Sequence, residues 1–391
     1  MEGRTPACTF LRVILSRQHR TTLIRAARVS CTLCYCAVVM ASGPNSYVTE
    51  APTLPRVLHR AFQVFAHAPC LGSPRIKPSP EGAEERKRGS DTAELEGTAS
   101  SAPEPSLIHE AVTDVTSQFG SGEPNIEYKW KSFAEVGRES QFLAAALLTL
   151  LPPRGVVGIC GPNRSEWVIT DVACCFADLV TVGLHTSWPE DELISILRGA
   201  EVTAVVCDKS LLPTFARIAE ASGLKHLVCM DNSAGEVIAP SDVGLHALPA
   251  LIRQQEVAAG PEGDPPRPFL AVSEENGDEM FTLIYASGTS GVPKAIMTPK
   301  ARWKRDASAG IWRLEQKVIA SYSALAHGMD RGLVWQNLLL GGRTGFVHPD
   351  WFFPSIRAIG PSLFFAMPHH WNDLFADFNS RLRDALAAVC M

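Results

Sequence analysis

The residues whose types and spacing can do chemistry lie between Ser287 and Lys294, in the run SGTSGVPK. Gly288 and Gly291 let backbone N–H groups come close to phosphate oxygens. The hydroxyls of Ser287, Thr289 and Ser290 add donors, and Lys294 sets a cation against the charge. The ligand that suits such a loop is a phosphate group, with Lys294 placed to neutralise charge during reaction. The spacing is not that of a Walker loop, G-x-x-x-x-G-K-[ST]. Here Pro293 precedes the lysine and Ala295 follows it. This argues against a kinase or other Walker-type hydrolase. The competing reading is an ordinary Gly/Ser hairpin.

A phosphate loop works only where regular elements hold it. Met280 to Ala286 (MFTLIYA) reads as a strand leading into the loop, which places the loop at a strand's carboxyl end. Upstream, short apolar runs at Gly155–Gly161, Val180–Leu184, Thr203–Cys207 and His226–Met230 read as buried strands. Helical patterns separate them at Arg164–Leu179, from Ser187 to Gly199, and at Leu211–Ala221. Alternation at this spacing predicts a layered α/β fold of mostly parallel sheets flanked by helices. A loop from Asp231 to Gly277, with one short helix at Ala247–Gln255, precedes the phosphate strand.

The 391 residues, 46% hydrophobic and 20% charged, suffice for one large domain or two ordinary ones with a real core. A net charge of -5 gives no electrostatic case for a nucleic-acid partner. The eleven cysteines are scattered, several inside apolar runs, which fits a reducing compartment. Cys31 and Cys34 make a C-x-x-C pair beside Cys36, but no second pair lies near enough to complete a zinc site. Lys300, Lys304 and Arg305 read as solvated loop charges rather than a guide for anionic substrate.

Residues 1–70 read as a poorly ordered leader or targeting segment, 71–125 as a flexible linker rich in Pro, Gly, Ser and mixed charge, and 126–391 as the folded domain. The leader is Arg-rich and acid-poor before an apolar run from Val29 to Met40. Three readings fit it: a mitochondrial presequence, a signal or anchor segment, or leader sequence ahead of a true start at Met40. The apolar run is short of the roughly 20 residues that span a bilayer, so the expectation is a cytoplasmic or peripheral membrane protein.

Several segments together resemble one family, the adenylate-forming (AMP-binding) superfamily. Tyr285, Ser287, Gly288, Thr289, Gly291, Pro293 and Lys294 match its phosphate signature Tyr-Thr-Ser-Gly-Thr-Thr-Gly-x-Pro-Lys-Gly. Ala286, Ser290 and Ala295 depart from it. YKWKSFAEV (Tyr128–Val136) and GICGPNRSEW (Gly158–Trp167) resemble its opening segments. SYSALAHGMDR (Ser321–Arg331) and FFAMPHHW (Phe364–Trp371) resemble elements typical of long-chain and bubblegum-type acyl-CoA synthetases, with Ala324 in place of proline and His369 in place of arginine. The resemblance implies part of a large amino-terminal adenylation domain. It implies a two-step reaction on a long-chain fatty acid, ATP and coenzyme A, with Mg2+. Tyr285 and the loop residues would hold the nucleotide, Thr289 would contact magnesium, and Lys294 and His327 would serve the chemistry. His327 can also be read as a helix-capping or packed histidine.

The family's adenine segment Tyr-Gly-x-x-Glu, its ribose aspartate and its lysine-bearing carboxy-terminal domain have no counterpart after Trp371. Two expectations follow: an acyl-CoA ligase represented by an incomplete chain, or a non-catalytic remnant that binds nucleotide or acyl chain.

Overall fold

A computed structural model describes residues 51–77, 124–233, 237–261, 263–271, 279–286, 293–308 and 316–390. The cysteines at 31, 34 and 36, the arginine-rich leader and most of the linker lie outside them.

The first described helix, α1 (Leu54–Val64), is capped by Thr53, whose hydroxyl accepts from the Arg56 N–H. Its apolar residues recur at helical spacing, and Leu54, Val57, Leu58, Ala61 and Phe62 are buried. Strand β1 (Pro69–Ile76) follows, then β2 (Ile126–Ser132) and helix α2 (Phe133–Leu150). Helix α2 begins in a capping box: Glu135 N–H donates to the Ser132 hydroxyl, and its carboxylate accepts from the Ser132 N–H at 2.7 Å.

These elements correct the expected boundaries. Residues 54–76, assigned to leader and linker, are folded, and β1 is an interior strand. Two prolines and a glycine disguise β1 as loop. Gly72 is required there, because a Cβ on it would stand 2.8 Å from the Trp130 ring of the neighbouring strand.

The chain then alternates: β3 (Val156–Cys160), α3 (Ser165–Phe176), β4 (Val180–Leu184), α4 (Glu190–Gly199), β5 (Val202–Cys207), α5 (Leu212–Ser222) and β6 (His226–Cys229). All seven correspond to elements legible in the sequence. A short strand β7 (Gly244–Ala247) and helix α6 (Leu248–Ala259) follow, then β8 (Met280–Ala286) and β9 (Lys294–Pro299). Next come α7 (Lys300–Ser308), β10 (Val318–Ser321), α8 (Gly328–Leu340), β11 (Arg343–Phe346), α9 (Phe352–Ile359) and α10 (Pro368–Cys390).

The strands form two sheets. One has seven strands in the order β7-β6-β5-β3-β4-β8-β9, parallel except for the β8/β9 pair. The other has four, in the order β10-β11-β1-β2, parallel except for β1/β2. The expected layered α/β architecture of mostly parallel sheets is therefore the observed one. Residues of α2, α3 and α8 share one buried cluster with Val157 and Ile159 of the large sheet and Leu71 and Phe346 of the small one. The opposite face of the large sheet packs Val182, Leu184 and Val205 against α4 and α5. Both faces of its central strands are covered, which is why β3 to β6 read as apolar runs. No helix of the described residues is long and apolar enough to cross a membrane.

Candidate functional site

Strand order locates a crevice. From β4 the chain crosses β3 to reach β5, whereas from β8 it turns outward to β9, so neighbouring strands β4 and β8 send their connections in opposite directions. Their carboxyl ends bound a switch point, where ligands bind in open α/β sheets. Thr181 and Val182 of β4 pair with Thr282 and Leu283 of β8, which sets Tyr285 and Ala286 at the top of β8. Lys294 opens β9 opposite Ala286 and is exposed. Ser287, Gly288, Thr289, Ser290 and Gly291 lie outside the described residues.

Helix α8 forms the other side. His327 occupies its N-cap position, but its side chain makes no capping hydrogen bond; the ring is exposed. Between β8, β9, α7 and α8 lies a cavity of about 430 Å³, with Tyr285 and His327 in its wall. Gly328, Gly332 and Gln336 face it from α8 at i, i+4 and i+8, so at two of these three positions the helix contributes no side-chain bulk. Ile284, Ile296, Trp303 and Met329 make most of the remaining lining, with Arg302 at its edge. Such a volume with apolar walls and few polar groups suits a small ligand. Tyr285 and His327 are thus brought together at one cavity, and Lys294 pairs with Ala286 beside it.

Two networks, one buried and one half-buried, hold α8 in place. Arg331 is 1% exposed and forms a bidentate pair with the fully buried Asp171 of α3, its Nε donating at 2.8 Å. It also donates to Thr282 Oγ1 at 2.7 Å and Thr181 Oγ1 at 2.6 Å, and Trp335 Nε1 donates to Asp171 at 2.6 Å. The second network centres on Asn163, in the loop after β3. Its amide donates to Ser321 Oγ, the Ser323 carbonyl and Asp330 Oδ2, and its oxygen accepts from Leu325 N–H at 3.1 Å. Ser321 Oγ donates to Asp330 at 2.6 Å. Burial pushes the Asp330 carboxyl up to about 7, against the hydrogen bonds from Ser321 and Asn163 that lower it. One asparagine thus ties the end of β3 to the loop that carries His327.

Lys300 is no solvated loop charge. It is 3% exposed and paired with Asp178 and, at 3.3 Å, with Glu279, at the other end of the large sheet from Ala286. Two rings at the site escaped the sequence reading. His185 and Trp188, in the connection after β4, stand against His327 and Tyr285. The available signal was a histidine directly after a buried strand, at a carboxyl end. Among the described residues no group of three or more His, Cys, Asp or Glu is arranged to hold a metal ion. Thr289, the expected magnesium contact, is outside them.

The fold and the switch-point site define an adenylation-type α/β domain. Solved structures with this fold include the A domain of a carboxylic acid reductase from Segniliparus rugosus, in complex with AMP and a co-purified carboxylic acid. It is 18% identical with a TM-score of 0.65, over 92% of this chain and 56% of that one. A long-chain-fatty-acid-CoA ligase from Archaeoglobus fulgidus is 16% identical with a TM-score of 0.60, over 88% of this chain and 57% of that one. The chain belongs to the AMP-binding enzyme family, whose model matches residues 110–389. Curated relatives include long-chain-fatty-acid–CoA ligase 1 of Cavia porcellus, 28% identical over 281 residues, and the peroxisomal long chain acyl-CoA synthetase 6 of Arabidopsis thaliana, 26% identical over 259. These matches cover 66% and 64% of this chain but only 38% and 36% of the relatives. The chain therefore spans under two fifths of their length.

Proposed function

We propose that this chain carries the phosphate- and acyl-binding part of a long-chain fatty acid–CoA ligase. A fatty carboxylate oxygen attacks the α-phosphorus of ATP, forming the acyl-adenylate as the bond to pyrophosphate breaks. The coenzyme A thiolate then adds to the acyl carbon and AMP leaves. In this reading Tyr285, Ser287, Gly288, Thr289, Ser290, Gly291 and Lys294 hold the phosphates, and His327 stands beside the reacting carboxyl group. Magnesium arrives with ATP as part of the substrate, bound chiefly through phosphate oxygens, with Thr289 as the protein contact.

The observation that carries the reading is the apolar cavity opening beside Tyr285 and His327, with its floor cleared by Gly328 and Gly332. An alkyl chain placed there gains roughly 0.8 kcal/mol for each buried CH2, which separates a fatty acid from a short acid. The names of the curated relatives support the same substrate class.

Binding of oleate followed through intrinsic tryptophan fluorescence tests the proposal, since Trp303 lines the cavity. We expect saturable binding to the unmutated chain and its loss in Gly332→Trp, which fills the space. Oleate binding that survives Gly332→Trp at equal affinity sinks the assignment.

A further inference from the structure

Four rings stand in succession beside the site. Tyr285, near the end of β8, meets Trp188 at 6.3 Å between ring centres. Trp188 meets His185 at 4.7 Å, and His185 meets His327 edge-on at 5.3 Å. The reaction proposed above leaves His185 without a task.

Backbone packing places it there. Gly183, two residues earlier in β4, lies against the loop before α8, where a Cβ on it would stand 2.7 Å from the Ala326 Cα. No other residue type permits that approach without displacing the loop. The missing side chain thus sets the distance between the two imidazoles.

Neither imidazole makes a hydrogen bond with another described residue. No carboxylate of the described residues acts on His185: the titratable group set against it is His327 on α8, and Tyr285 on β8 stands beyond Trp188. The adjoining elements contribute cations, Lys294 on β9 and Arg302 on α7. Burial first, and His327 second, lower the pKa of His185, so it is neutral in the free protein near pH 7. His185 is half-buried with an open ring nitrogen, and His327 presents a second beside it; a half-buried polar group ordinarily finds a partner, and here an anion would supply it.

We propose that His185 is a second anion ligand of this site, sharing with His327 an oxyanion group of the substrate, either a phosphate or a carboxylate. The proposal rests on the reading of the site as one that handles ATP and a carboxylic acid. As the anion arrives, one proton from solvent adds to the free ring nitrogen of His185, and the resulting imidazolium donates to the anion. A charge-assisted hydrogen bond of this kind is stronger than a neutral one.

Calorimetric titration of the whole chain at pH 7, in buffers of different ionisation heat, counts the protons taken up. Pyrophosphate and decanoate are titrated separately to distinguish the two sources of the oxyanion. We expect one of them to bind with net proton uptake and to bind more tightly at pH 6 than at pH 8. In His185→Phe the affinity falls about tenfold or more and part of the uptake disappears. His185→Asn, which keeps polarity without charge, falls in the same way, and thermal unfolding of both variants reports on folding. Pyrophosphate or decanoate binding with no proton uptake and no pH dependence in the unmutated chain overturns the proposal, whatever the variants do. If Lys294→Ala weakens binding but a folded His185→Phe does not, the site reading stands and the role of His185 falls. If neither anion binds the unmutated chain, both fall together.

Discussion

Lys294 and Lys300 are six residues apart and occupy opposite settings, one exposed at the start of β9 and one buried between Asp178 and Glu279. Lys294→Ala should weaken ATP binding by about 1.5–3 kcal/mol, the loss of a charge-assisted contact, while leaving the unfolding temperature nearly unchanged. Lys300→Ala should do the reverse, destabilising the fold by about 1–3 kcal/mol because two carboxylates lose their cation. Calorimetric ATP titration and thermal unfolding of both variants check this, and equal effects on ATP affinity would remove Lys294 from the site. Asp330 gives a pH signature. Its folded pKa, about 7, lies above its ordinary carboxylate value, so the folded state holds the proton more tightly. The stability this contributes is present below pH 4, is lost as the pH rises toward 7, and changes little beyond. Asp330→Asn should flatten the fall between pH 4 and pH 7 in urea unfolding. The phosphate-loop reading rests on residue types alone, and of the residues proposed to hold phosphate only Tyr285 and Lys294 lie among the described ones. His185 was not legible, because its partner lies 142 positions away in a loop and no periodicity links them.

Helix α8 carries His327, half the cavity wall and the Arg331 anchor, so its seating decides the site. The Arg331–Asp171 pair is fully buried, and the arginine also lies over Trp167 and Phe281 at 5.2 and 5.6 Å. Removing one partner leaves an unpaired buried charge, and Asp171→Ala should cost about 3–5 kcal/mol. Arg331→Lys should not restore stability, since an ammonium cannot bridge Asp171, Thr181 and Thr282 at once. Denaturant unfolding decides it, and a lysine variant as stable as the parent would show that the fork geometry is irrelevant. Strands β3 to β6 of the large sheet were legible because each is a short, nearly continuous apolar run with most of its residues buried, whereas β7 and β9, half-buried or exposed, were not. The small sheet was not. Strands β10 (VIAS) and β11 (RTGF) have four residues each, too few for alternation to register, and β1 carries Pro69 and Pro74.

At the scale of the molecule, residues 51–77 belong to the body they precede. A chain beginning at Ile126 removes β1 from the middle of the small sheet and strips α1 from the core, so it should fail to fold. One beginning at Ala51 should retain cooperative unfolding, as circular dichroism and gel filtration of the two would report. A soluble, cooperatively folded chain from Ile126 would mean that the small sheet closes without its interior strand. The pairing of β1 also sets a timetable. Leu71 bonds in register with Thr344, about 270 residues later. At ribosomal speeds of about 5–20 residues per second, β1 waits on the order of 15–55 s for that partner. During this interval one of its edges is open, beside the apolar face of α1. Synthesis is therefore the period in which this protein is most exposed to mispairing and most in need of a chaperone.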